Sequence, residues 1–68
     1  MHGATKVTTT TVEGWEETSR IWAAAGESFE IHGIGARHLK FCKAICDAFN
    51  YECHLESRNS AAVFVPNA

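Results

Sequence analysis

A chain of 68 residues with 46% hydrophobic and 21% charged side chains, and a single proline, is composed like one globular domain and not like a disordered tail. It lies near the lower size at which a core holds without metal or disulfides, so residues 1–68 are read as one small domain. A net charge of −2 gives no overall positive field for DNA or RNA, which argues against direct nucleic-acid binding, and no run of about 18 apolar residues is present to cross a membrane.

The start, MHGATKVTTTT, has no apolar stretch of the signal-peptide kind, and Met1 reads as the beginning of a complete small gene product. Three cysteines, an odd number without framework spacing, fit a reducing cytoplasm. Residues 6–12, KVTTTTV, are β-branched apart from Lys6 and predict a strand with one wet face. EGWEE at 13–17 predicts a loop. TSRIWAAA at 18–25 predicts the next strand, with Ile21 and Trp22 on opposite faces, although its three alanines favour helix. After a turn at GES, 26–28, the segment SFEIHGI at 28–34 alternates, with Phe29 and Ile31 facing one way and Glu30 and His32 the other.

A helix is expected over 36–50, because Leu39, Cys42, Ile45, Cys46 and Phe49 recur at the spacing of one helical face. YECHLES at 51–57 alternates again, setting Tyr51, Cys53 and Leu55 against Glu52, His54 and Glu56. Arg58-Asn59-Ser60 predicts a hairpin connection into a returning strand, AAVFV at 61–65, closed by Pro66. The expected class is α+β: an antiparallel sheet of about five short strands with one helix packed on one face, in the order β-β-β-α-β-β. The edges of such a sheet leave pairing with a second copy, a homodimer, open.

The segment GIGARHLKFCKAICDAFNYECH, 33–54, holds all three cysteines and two of the four histidines. Tetrahedral zinc would need three or four such ligands converging. The segment has no zinc-knuckle spacing, and the adjacent strand residues Cys53 and His54 point to opposite faces. The cysteines fall on the apolar faces, so core filling is the simpler reading and no metal is expected. No nucleophile elbow or Walker-type glycine loop occurs, and a buried thiol is a poor nucleophile; no catalytic or cofactor-binding residue is assigned, and the chain is read as a non-enzyme.

Two groups of charged residues stand out as candidates for binding a partner. Glu13, Glu16 and Glu17 surround Trp15, which serves either as an interface anchor or as a cap on the small core. Arg37, His38, Lys40 and Lys43 crowd the start of the expected helix, where the helix dipole favours negative charge by about 0.3–1 kcal/mol per group. A local rule broken in this way points to function, or to a merely solvated helix end. Free N–H groups after Gly33 and Gly35, with Arg37, could hold an anion, which keeps an anion- or nucleic-acid-binding module and a metal-binding domain as alternatives.

Two resemblances bear on this. Gly33-Ile34-Gly35-Ala36-Arg37-His38 is similar to the phosphocarrier signature of the sugar phosphotransferase system, Gly, aliphatic, His, Ala or Ser, Arg, Pro. Gly35 stands in the place of the phosphorylated histidine and His38 in that of the proline, so phosphoryl transfer by that route is not implied. Over more of the chain, the Thr/Val-rich first strand and the ending from Asn50-Tyr51 through Leu55, Ser57 and Asn59 to Phe64-Val65-Pro66 resemble small phage-encoded anti-CRISPR proteins that inhibit type I surveillance complexes. The resemblance is architectural and transfers no binding residue. It implies a protein–protein interaction: an inhibitor, phage or mobile-element encoded, that serves host-defence evasion by covering a subunit of a type I CRISPR-Cas complex or its nuclease.

Overall fold

The computed structural model describes residues 5–56, 58 and 60–67. In chain order these form β1 (Lys6–Thr9), α1 (Trp15–Ala24), β2 (Phe29–His32), a short 3-10 helix (Ala36–His38), α2 (Leu39–Phe49), β3 (Tyr51–Glu56) and β4 (Ala61–Pro66). The four strands make one sheet in the order β1-β2-β4-β3. β1 runs parallel to β2, while β4 is antiparallel to both β2 and β3. The α+β class holds, but the sheet is mixed and not antiparallel, with four strands in place of about five and two α-helices in place of one.

The main correction is at 13–25. EGWEE is not wholly a loop, and TSRIWAAA is not a strand: Trp15 begins a helix that runs to Ala24. The reason is visible in the burial. Trp15, Ser19 and Ala23 are the buried residues of α1, four apart along one helical face. The alternation of Ile21 and Trp22 is a coincidence of neighbours, since Trp22 turns partly toward the core and Ile21 points outward, 59% exposed. A helix here is also what the topology requires, because parallel neighbours such as β1 and β2 need a long crossover and not a hairpin. The first strand is correspondingly shorter, ending at Thr9, with Thr10–Gly14 turning into α1. Of the expected hairpin residues, Asn59 lies outside the described residues, as does Ser57.

Both helices cover the same face of the sheet. Trp15 and Ala23 of α1, and Cys42 and Ile45 of α2, share one core with Phe29, Ile31, Tyr51, Ala62 and Phe64. Phe29 and Phe64 face each other across β2 and β4 and stack with ring centroids 4.7 Å apart. Burying each such side chain is worth roughly 1.5–3 kcal/mol, which is how so short a chain holds together. The Tyr51 hydroxyl crosses the core to donate to the Glu27 carbonyl at 2.8 Å, next to the C-terminus of α1. Gly33, at φ 79°, closes the far end of the sheet: its carbonyl accepts from Thr10 Oγ1 at 2.9 Å, and a Cβ there would lie 2.7 Å from that oxygen.

Among the described residues the other face of the sheet carries no helix. It presents Glu30 and His32 from β2, Val63 and Val65 from β4, and Glu52, His54 and Glu56 from β3. His32 pairs with Glu30 at 2.9 Å and His54 with Glu52 at 3.6 Å.

Candidate protein-binding surface at the helix starts

β1, β2 and β3 all run in one direction, so the helices that follow β1 and β2 both return in the other. The start of α1 therefore lies beside the start of α2. Three rings lock this end: Trp15 packs edge-on against Phe41 at 4.8 Å and against His38 at 5.4 Å. The Arg20 guanidinium lies over the outer side of Phe41, 5.2 Å from its centre.

Of the candidates read from the sequence, Trp15 is placed inside: it is 7% exposed and belongs to the core, so its indole is a foundation and not an exposed anchor. Glu13, Glu16 and Glu17 are exposed around the start of α1. Glu16 and Glu17 lie in its first turn, where the dipole favours them. Arg37 is exposed in the 3-10 helix, and Lys40 and Lys43 are exposed on α2. Lys43 pairs with Asp47 one turn on, at 3.4 Å, so its charge is partly balanced within its own helix. Among the described residues no ion pair joins the acidic group to the basic one.

His38 is half-buried and closes the helix start. Its Nδ1 accepts from the Gly35 N–H at 2.9 Å, while the Gly35 carbonyl accepts from the His38 N–H at 2.9 Å. This fixes the tautomer with the proton on Nε2. It also uses a backbone donor that a bound anion would need. No acidic residue occupies this first turn, so the basic start stands uncorrected by the sequence.

Two exposed apolar residues at this end carry no signal in the sequence. Val12, beside Glu13, is 49% exposed, and Leu39, beside Lys40, is 44% exposed. Leu39 is expected on the buried helical stripe, but as the first residue of α2 it is exposed. Nothing in local periodicity marks Val12, which falls in the first strand expected from the sequence.

The sulfur cluster lies elsewhere, between α2 and β3. Cys42 is buried, Cys46 and Cys53 are half-buried, and all three pack with the core. The Cys42 thiol beside Cys53, together with burial, pushes Cys53 far above the ordinary thiol range, and burial pushes Cys46 up. Cys46 and Cys53 therefore stay protonated at neutral pH, while the Cys53 thiol hydrogen-bonded to Cys42 draws Cys42 below the ordinary thiol value against its burial. Among the described residues no three His, Cys, Asp or Glu side chains are arranged to hold a metal ion. A shallow cleft of about 250 Å³ lies between the β2–α2 loop and the β3–β4 end, lined by Ile34, Gly35, Ala36, Leu55, Glu56, Ser60 and Ala61. Its only ionisable group is Glu56, which gives it no acid–base pair.

Among the described residues no helix is long and apolar enough to cross a membrane. Compared with known proteins, the chain matches no protein-family profile, no curated protein and no solved structure.

Proposed function

We propose that this chain is a small protein-binding inhibitor, phage or mobile-element encoded. It would act in the bacterial host cytoplasm by covering a surface of a type I CRISPR-Cas complex or its nuclease. One observation supports the binding reading above the others. Two charged groups far apart in sequence, Glu13–Glu17 and Arg37–Lys43, meet at one end of the molecule on a rigid aromatic base, with exposed Val12 and Leu39 among them. Apolar side chains ringed by charge suit an interface, since the buried centre supplies affinity and the rim supplies orientation and on-rate.

The test is binding of the purified chain to purified type I surveillance complex and, separately, to its nuclease. The Glu16→Lys/Glu17→Lys and Arg37→Glu/Lys40→Glu variants are run alongside. Saturable binding that weakens at least about tenfold in one of the charge-reversed variants supports the reading. Salt-dependent binding to nucleic acid with a slope of several charges, and none to protein, replaces it with the anion-binding alternative.

A further inference from the structure

The free edge of β3 leads to a second inference, independent of the partner proposed above. Among the described residues β3 ends the sheet, so one of its sides has no strand beside it. Which residues offer backbone groups there follows from the ladder to β4. The Asn67 N–H donates to the Asn50 carbonyl at 3.0 Å, and Tyr51 sits opposite Pro66, which has no N–H to give. Backbone groups alternate sides along a strand. Glu52, His54 and Glu56 therefore bond to β4, and Tyr51, Cys53 and Leu55 aim their N–H and C=O groups at the empty edge.

A second antiparallel β3 fits this edge in one register. With a two-fold axis through Cys53, Glu52 faces the partner's His54 and His54 faces the partner's Glu52. These positions lie on the open face of the sheet and in the closely spaced, non-hydrogen-bonded pairs where side chains interact most strongly. Glu52 and His54 already lie 3.6 Å apart within one strand. The axis therefore closes a ring of alternating carboxylate and imidazole, in which an imidazole N–H has an acceptor in either protonation state. On the inner face, Leu55, 55% exposed, comes to lie opposite the partner's Tyr51. Neighbouring registers fail. An axis through Glu52 sets Glu52 against its own copy, an axis through His54 sets Glu52 against the partner's Glu56, and an axis through Leu55 leaves Tyr51 beyond the end of the partner's strand.

We infer that β3 is a homodimerisation edge, pairing antiparallel with its own copy about Cys53 to form one continuous sheet across two molecules, with reciprocal Glu52–His54 contacts setting the register.

Sedimentation velocity over a concentration series tests this on the full chain. The expected result is a monomer–dimer equilibrium with a dimer of twice 7.5 kDa. Glu52→Lys and His54→Glu should each raise the dimer dissociation constant about tenfold or more, and the exchanged pair Glu52→His/His54→Glu should restore it. Leu55→Pro removes an N–H aimed at the free edge and none from the ladder to β4, so it should leave the circular dichroism spectrum folded and the mass monomeric. A wild-type chain that stays monomeric at every concentration overturns the inference. So does a dimer indifferent to both charge variants.

Discussion

At the scale of single residues, Trp15 and Tyr51 join the helices to the sheet and to each other. Trp15→Ala removes a buried indole and its contacts with His38 and Phe41. A loss of about 3 kcal/mol or more is expected in urea unfolding, a large share of what a domain of this size has. Had Trp15 been an exposed anchor, the same change would have left stability untouched. Burial, with the charge of Glu27 beside it, raises the Tyr51 phenol above its ordinary value. The folded state thus binds this proton more tightly than the unfolded chain does. The associated stability is complete below about pH 10 and declines as pH rises through the folded value. Tyr51→Phe should lower stability by about 1 kcal/mol at neutral pH and flatten the alkaline limb of the pH–stability curve; an unchanged limb would assign the alkaline loss to other groups. Cys42→Ala should cost about 1–2 kcal/mol through lost packing, while EDTA leaves the thermal midpoint where it was.

At the scale of elements, the start of α2 carries a cost that the chain leaves uncorrected. Arg37 and Lys40 oppose the dipole, and His38 provides the closure that a side-chain cap would otherwise give. Lys40→Glu should therefore raise stability, by about 0.3–1 kcal/mol at low salt, while weakening partner binding. A stabilised variant that binds as well as the parent would mark the basic start as solvated surface. The elements from 28 onward were legible in the sequence because two clear periods alternate there, with Phe29 and Ile31 against Glu30 and His32, then the α2 stripe, then Tyr51 and Cys53 against Glu52 and His54. α1 was not legible. Its threonine and β-branched neighbours match a strand pattern locally, and its helical face is made of Trp15, Ser19 and Ala23, of which only the tryptophan is large and apolar. Ser19 reads as a surface residue, yet it is fully buried, its hydroxyl satisfied by donating back to the Trp15 carbonyl at 2.8 Å.

At the scale of the whole molecule, the helix Trp15–Ala24 changes more than one element. A strand there would have given an antiparallel meander with the acidic loop at one hairpin and the basic helix start elsewhere. The helix makes β1 parallel to β2 and sends α1 and α2 the same way, which brings Glu13, Glu16 and Glu17 to the end that carries Arg37 and Lys40. The candidate residues were legible one by one from charge. Their meeting was not, because it follows from strand direction, which composition and periodicity do not encode. The open sheet face and the free β3 edge arise from the same topology, since both helices are used on one side.

The most direct measurement is equilibrium binding of the purified chain to purified type I surveillance complex and to its nuclease, with the Glu16→Lys/Glu17→Lys and Arg37→Glu/Lys40→Glu variants alongside. Saturable binding to one of the two, lost in a folded, charge-reversed variant, is the expected result. Binding to neither, or binding that both variants keep, would contradict it.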